Sequence, residues 1–129
     1  MRFILVASVL LALSAGCGRM QPAGSAPQDG FTVTLTTQPA PPVVGAGTLI
    51  VSLRDPAGQP VTGARLQVEG NMNHAGMKPS IGKVTAAEGG QYTIALPWTM
   101  AGDWYVDIKA TLTDGRVISR RFPIIVHVR

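Results

Sequence analysis

Residues 103–113, D-W-Y-V-D-I-K-A-T-L-T, alternate between apolar and mostly polar side chains with a period of two. Trp104, Val106, Ile108 and Ala110 fall on one side of an extended chain. Successive side chains of a β-strand point to opposite faces, so this pattern predicts a strand with one buried face.

The same alternation recurs in six other short segments between residue 31 and the C-terminus. The series begins with F-T-V-T-L-T-T at 31–37 and ends with R-V-I-S-R-R-F-P-I-I-V-H-V at 116–128. Turn-forming residues separate the segments, and D-G at 114–115 predicts a type I′ hairpin turn. Since no segment shows a helical period, we expect an all-β fold, namely an immunoglobulin-like, seven-stranded antiparallel β-sandwich.

Two features of the last segment bear on its place in the sandwich. The alternation puts Phe122, Ile124, Val126 and Val128 on the core face, and Pro123 suits an edge position or a bulge because it cannot donate a ladder hydrogen bond. The chain has a single cysteine, which excludes a disulfide within the chain. We therefore expect a sandwich without the inter-sheet disulfide of antibody domains.

The N-terminal residues have the composition of an export signal. A positive charge at Arg2 precedes an apolar run from 3 to 13, which is shorter than the roughly 20 residues that a membrane-spanning helix needs. Residues 1–16 are therefore predicted to be a signal peptide. L-S-A-G-C at 13–17 resembles the lipobox of bacterial lipoproteins, and this resemblance implies a lipidated Cys17. Cleavage and release without lipidation is the alternative.

The chain is thus expected to have three parts. A lipoprotein signal peptide at 1–16 precedes the lipidated cysteine and a flexible tether at 17–30, where Gly, Pro, Ala and Gln dominate without periodicity. The Ig-like domain occupies 31–129. We expect the protein to be exported and held by its lipid anchor on a membrane, on the extracytoplasmic side of the bacterial cell envelope.

Composition and charge exclude two functional classes. Eleven basic and seven acidic residues give a formal charge of +4, and Arg120 and Arg121 are the only adjacent basic pair. A nucleic-acid-binding protein would show a basic stripe with interleaved aromatic residues, so no nucleic acid partner is expected. The sequence also lacks a Ser-His-Asp set, a plausible carboxylate pair and a phosphate-binding glycine loop, so we do not expect an enzyme.

The stretch N-M-N-H-A-G-M-K-P at 71–79 places two methionines and a histidine in a polar loop. Strands that run alternately up and down would bring this loop to the same end of the sandwich as W-T-M-A-G, which contains Met100. Thioether sulfur and imidazole nitrogen suit Cu(I), whereas zinc, calcium and magnesium require other donor sets. We therefore expect a Cu(I) site formed by Met72, His74 and Met77, with Met100 as a candidate fourth ligand.

The same residues also have a purely structural interpretation. Met72 or Met100 would then cap the open end of the sandwich, with Trp98 as a sulfur–aromatic packing partner. His74 would be a solvated loop residue. His127 falls at this end too, but the alternation places it on the face opposite the core, which makes it a weaker ligand candidate.

Four motifs in a fixed order carry a resemblance to a known family. They are D-P-A-G-Q-P-V-T-G-A at 55–64, N-M-N-H-A-G-M at 71–77, G-Q-Y-T-I-A-L at 90–96 and M-A-G-D-W at 100–104. Together they resemble the YtkA-like/FixH-like family of small extracytoplasmic β-sandwich domains. The resemblance implies a membrane-associated role linked to copper handling or oxidase assembly.

Two functional hypotheses follow. The first is a membrane-anchored binding protein that holds Cu(I) in its Met/His loop and exchanges it with a copper-donor or copper-acceptor protein of the envelope. The second is a metal-free Ig-like interaction module of a cell-envelope complex.

Overall fold

The computed structural model describes residues 29–129, and this part of the chain folds as an all-β domain. The predicted signal peptide, the lipidated Cys17 and residues 18–28 of the predicted tether lie outside the described residues. Within residues 29–129 no helix could cross a membrane. The strands are β1 (Thr32–Gln38), β2 (Thr48–Arg54), β3 (Arg65–Met72), β4 (Ser80–Glu88), β5 (Gln91–Ala95), β6 (Gly102–Thr111) and β7 (Val117–Val126).

All strand pairs are antiparallel, and the hydrogen-bonded order is β1-β2-β5-β4-β3-β6-β7. Strand β4 belongs to both layers, because residues 80–82 pair with β3 whereas residues 83–88 pair with β5. A register shift between Val84 and Ala86 interrupts the second pairing. The layers β1-β2-β5 and β3-β6-β7 are thus joined through β4. The expected all-β sandwich is confirmed.

The core lies between the two layers. The predicted inward face of β6 is buried, with Trp104, Val106, Ile108 and Ala110 each at most 3% exposed. Each large apolar side chain removed from water in this way stabilises the fold by about 1.5–3 kcal/mol. The other strands contribute their alternate residues, among them Leu49, Val51, Leu53, Leu66, Val68, Tyr92 and Ile94.

Two local predictions were wrong. Val128 does not continue the core face of β7, because the strand ends at Val126 and Val128 is 77% exposed. A type I′ turn needs positive φ at both central residues, but Asp114 does not have it, whereas Gly115 has φ 88°. Instead Gly115 N–H donates to the Leu112 carbonyl, and the Asp114 carboxylate accepts the backbone N–H of Arg116.

Strands β1 and β7 lie at the two ends of the strand order, so Pro123 occupies an edge strand as predicted. Hydrogen bonds tie the β7 side to the chain around β1. The Arg120 guanidinium donates to the Asp29 carboxylate and to the Phe31 carbonyl. At the other end of β7, His127 pairs in parallel with Val43 of the β1–β2 connection.

The strand register defines two ends of the sandwich, which we call the N-terminal pole and the Met/His pole. At the N-terminal pole the described chain begins beside the end of β2, since Thr32 pairs with Arg54. At the Met/His pole the end of β3 meets the beginning of β6, since Met72 pairs with Trp104. The N-terminal pole consists of residues 29–31, 55–64, 88–91 and 112–116, and the Met/His pole of 39–47, 72–79, 96–104 and 126–129.

Candidate metal site

The four candidate ligands lie on two neighbouring segments of the Met/His pole. The loop with His74 and Met77 directly follows Met72, the last residue of β3. The segment with Met100 leads directly into β6, whose Trp104 pairs with Met72. The alternate up-and-down run of the strands therefore brings these two segments together, as the order of the sequence segments predicted.

Met72 is part of the core. It is 7% exposed and shares the inward face of β3 with the buried residues Leu66 and Val68. Its terminal methyl group lies 3.0 Å from the position that a Cβ atom would take at Gly102. Gly102 has φ 130°, a conformation that side chains rarely adopt. A glycine at this position therefore leaves room for Met72 directly beneath the segment that carries Met100.

His74 and Met77 lie in a single turn above Met72. The Met77 N–H donates to the His74 carbonyl over 3.4 Å, which closes the turn. The His74 side chain is exposed, whereas Met77 is partly buried and packs against the core. The imidazole is thus available to solvent, and the Met77 thioether lies at the boundary between core and surface.

Met100 is held through its backbone, and its side chain is exposed. The Trp104 indole Nε1–H donates to the Met100 carbonyl over 2.9 Å, and 45% of Met100 is accessible to solvent. Trp104 in turn packs edge-to-face against Trp98, with ring centroids 5.3 Å apart and an interplanar angle of 80°. Both indoles are buried, so an aromatic pair fixes the position of this segment from below.

Trp98 is anchored on the opposite side by the β1–β2 connection. Its backbone exchanges hydrogen bonds with Gly45, with N···O distances of 2.8 and 2.9 Å. A Cβ atom at Gly47 would collide with the indole Nε1, so only glycine allows the chain to approach the ring this closely. Among the buried side-chain nitrogen and oxygen atoms of residues 29–129, the Trp98 Nε1 is the one without a hydrogen-bond partner.

His127 lies at the same pole but on a different segment from the four candidates. Its backbone accepts from Val44 N–H and donates to the Pro42 carbonyl, and its side chain is exposed. Within residues 29–129 there is no group of three or more His, Cys, Asp and Glu side chains that could hold a metal ion. Any metal site at this pole would therefore depend on thioether sulfur.

Sequence reasoning did not identify the two residues that hold the candidate ligands in place. It named Trp98 as a sulfur–aromatic partner of Met72 or Met100 and did not connect Trp104 with either, although Trp104 is the cross-strand partner of Met72. Gly102 was not among the residues expected at the site. The relevant signal is the spacing in M-A-G-D-W, which places Met100, Gly102 and Trp104 at alternate positions of one short segment.

A family model described as YtkA-like matches residues 25–109. The chain belongs to the YtkA-like family. The matched range contains the loop with Met72, His74 and Met77 as well as the segment with Met100, and it ends within β6.

Solved structures similar to this YtkA-like chain share its sandwich fold. A DUF4426 family protein from Pseudomonas aeruginosa PAO1 has a TM-score of 0.57 and 13% identity, over 76% of this chain and 91% of that chain. The filamin domain of Lin-41 has a TM-score of 0.50 and 15% identity, over 74% of this chain and 91% of that chain. At these identities the likeness shows the fold alone. No curated protein matches the YtkA-like chain.

Proposed function

We propose that this YtkA-like protein is an exported, lipid-anchored binding protein, without enzymatic activity, that holds Cu(I) at its Met/His pole. One observation carries the proposal. Every methionine and histidine among residues 29–129 lies at this pole, on β3, the β3–β4 loop, the β5–β6 connection or the end of the chain. Residues used only as core filler would be spread over both ends of the sandwich.

The donor set supports a soft monovalent ion. Thioether sulfur and neutral imidazole are the ligands that Cu(I) accepts without a compensating negative charge. The surface groups His74, Met77 and Met100 would bind the ion first, and Met72 would supply a further sulfur from beneath. The Trp104 hydrogen bond and the close approach at Gly102 would keep Met100 and Met72 in position for this.

The position of the N-terminus supports a membrane-distal site. The described chain begins at the N-terminal pole, where Asp29 contacts Arg120 and Gly30 lies beside Pro56. The longest strands have 10 residues, and a strand of that length spans about 33 Å. With Cys17 lipidated, the Met/His pole would face away from the membrane, where a copper-donor or copper-acceptor protein of the envelope could reach it.

The anchor is tested by fractionation. Cys17→Ser should move the exported protein from the detergent-extracted membrane fraction to the soluble extracytoplasmic fraction without unfolding it, because Cys17 lies outside the described fold. A wild-type protein that is already soluble outside the cytoplasm would contradict the anchor and would leave the metal proposal standing.

The metal site is tested by competition with a Cu(I) chelator. We expect the wild-type protein to retain one Cu(I), and we expect Met77→Leu, Met100→Leu and His74→Ala each to release it at a lower chelator concentration. His127→Ala is the matched control, since it removes the other histidine of the chain and should leave retention unchanged. Zn(II) should bind poorly, because too few hard or borderline ligands are present.

The pH dependence separates the sulfur and nitrogen ligands. Protons compete with Cu(I) for the imidazole lone pair, so Cu(I) retention should weaken on acidification. Thioethers do not titrate, so binding should weaken rather than vanish. His74→Ala should remove the pH dependence, whereas Met77→Leu should lower retention at every pH.

The burial of Met72 favours a second candidate function. A 7% exposed methionine on the core face of β3 packs as a core residue does. The Met/His pole would then be the contact surface of a metal-free interaction module. Loss of all Cu(I) to a weak chelator at neutral pH would overturn the metal proposal in favour of this one.

A further inference from the structure

The outer faces of the two layers differ in chemistry. The outer face of β1-β2-β5 is made mainly of small hydroxyl-bearing residues, including Thr32, Thr34, Thr36, Ser52 and Thr93. The outer face of β3-β6-β7, extended by the first residues of β4, is mostly polar and charged but also carries three exposed large apolar residues. Ile81, Val117 and Ile125 on this face are 64%, 48% and 61% exposed. We call this surface the β3-β6-β7 face.

An open groove of about 720 Å³ crosses the middle of the β3-β6-β7 face. Ile81 of β4 lines one side and Arg121 of β7 the other, with Glu69 and Asp107 between them. Arg121 also lies over the Tyr105 ring, 4.2 Å from its centroid, and forms an ion pair with Asp107. The face is therefore concave, partly apolar and charged at its centre.

Two of the central charged groups form no ion pair among the residues that the structure describes. Glu69 and Asp107 are direct cross-strand partners on the same face, and two like charges in that relation destabilise a sheet. Arg121 neutralises Asp107, whereas Glu69 accepts a hydrogen bond from the amide group of Asn71. Lys109, one step further along β6, forms no ion pair among the described residues. Glu69 and Lys109 are thus diagonal neighbours on β3 and β6, and among residues 29–129 they form no ion pair with each other or with a third residue.

We propose that the β3-β6-β7 face binds a second copy of this chain in an isologous dimer. A two-fold axis lying in the interface, between Lys109 and Glu69, exchanges the positions of these two residues. Lys109 of each copy then lies opposite Glu69 of the other, so that each of these two groups acquires an ion-pair partner. The same axis brings Asp107 of one copy toward Arg121 of the other and covers Ile81 at the side of the groove. This inference is independent of copper binding.

The size of the face indicates a weak dimer. Four strands spaced about 4.8 Å apart and some ten residues long present roughly 500–600 Å² per copy. The total of about 1,100 Å² is at the lower limit of stable protein–protein interfaces. We therefore expect a dimer that dissociates on dilution.

Charge reversal at the predicted contact tests the dimer. The full chain with Cys17→Ala, which prevents thiol-mediated association, is examined by sedimentation velocity over a concentration series. Lys109→Glu or Glu69→Lys places like charges opposite each other in both halves of the interface, so each should weaken dimerisation by roughly tenfold or more. The double variant, with Lys109→Glu and Glu69→Lys together, restores opposite charges across the axis and should recover the wild-type dimer.

A control variant tests whether any added surface charge weakens dimerisation, and cross-linking provides an independent measurement of the contact. Thr34→Glu introduces a charge on the outer face of the other layer and should leave dimerisation unchanged. Gln67→Cys, close to the predicted axis, should be cross-linked to its own copy by a short bismaleimide, whereas Thr34→Cys should not. A wild-type chain that stays monomeric at every concentration, or a double variant no better than the singles, would overturn the proposal. Cross-linking of Gln67→Cys only to a different protein would also overturn the proposal.

Discussion

Two turns at the N-terminal pole, within 55–64 and 112–116, are closed by their own aspartates, whereas tryptophans support the segments at the Met/His pole from the core side. Asp55 accepts the backbone N–H groups of Ala57 and Gln59, and Asp114 accepts that of Arg116. At the Met/His pole, the indole of Trp104 fixes the Met100 carbonyl, and the β3–β4 loop has only the long bond between Met77 and His74.

This difference indicates where a ligand can bind. At the N-terminal pole the short polar side chains already satisfy the backbone of their own turns, so few groups remain for a ligand. At the Met/His pole the backbone is supported by buried aromatic rings, and the thioether and imidazole groups have no structural hydrogen bond to maintain. The variants below test this contrast in order of expected effect.

Trp104→Ala should produce the largest loss, because it removes the support of the Met/His pole. Deleting a buried aromatic side chain leaves a cavity and costs about 3–5 kcal/mol, a large share of the roughly 5–15 kcal/mol that stabilises a typical domain. Denaturant unfolding measures the change. Trp104→Phe keeps most of the packing but loses the hydrogen bond to the Met100 carbonyl. It should therefore cost less unfolding free energy than Trp104→Ala and should still reduce Cu(I) retention.

Substituting one glycine at each pole tests how tightly the backbone of that pole is packed. Gly102→Ala combines an unfavourable φ of 130° with a contact to the Met72 methyl group, so we expect a loss of about 2–3 kcal/mol. Gly115→Ala has φ 88° but nothing within 4 Å of the new Cβ, and should lose only about 1–2 kcal/mol. Equal unfolding free energies for the two variants would show that Met72 is not tightly packed beneath Gly102.

Acid should selectively loosen the N-terminal pole. The hydrogen bond from the Arg120 side chain, with the Phe31 N–H as a further donor, holds the pKa of the Asp29 carboxyl below its ordinary value. The folded pKa is depressed, so this contribution to stability is present above the ordinary carboxyl range near pH 4 and is lost as the pH falls through the folded value.

Asp29→Asn should therefore destabilise the protein slightly at pH 7 and make no difference at a pH below the folded pKa of Asp29. Urea unfolding at the two pH values measures this. Arg120→Gln is the reciprocal variant and should show the same pH dependence. A difference that persists unchanged in acid would contradict the role of the ion pair.

His74→Ala should have the smallest effect on stability. An exposed loop side chain without packing contacts usually changes the unfolding free energy by less than about 0.5 kcal/mol. Thermal unfolding of the metal-free protein checks this, and the Cu(I) competition described above should show a clear loss in the same variant. A destabilisation comparable to that of Trp104→Ala would mean that the loop is part of the core.

Local sequence signals were sufficient for most of the strands but not for their partners. The inward positions of β2, β5 and β6 were predictable because alternation is a property of a few consecutive residues. Strand β4 was not predictable in this way, since eight of its nine residues are at least partly exposed and its pairing is divided between two layers. The turn at Asp114 was mispredicted because the D-G signal does not specify which of two turn geometries forms.

The candidate site shows the same division. The sequence specifies the donor groups of Met72, His74, Met77 and Met100. It also predicts the up-and-down strand order that brings these residues to one pole. Whether each thioether faces the core or the solvent was decided only by tertiary packing, which buries Met72 beneath Gly102 and leaves Met100 exposed.

The amino-acid sequence by itself determined the all-β class, the inward faces of most strands and the residue types available at each loop. The tertiary structure alone decided that β4 joins the two layers, that Trp104 is the cross-strand partner of Met72, and that Glu69 lies beside Asp107. The physical reason is the separation along the chain over which each kind of interaction acts. Alternation and turn chemistry act between residues a few positions apart, whereas strand neighbours and buried contacts depend on segments that are distant in the chain and meet only when the whole core forms.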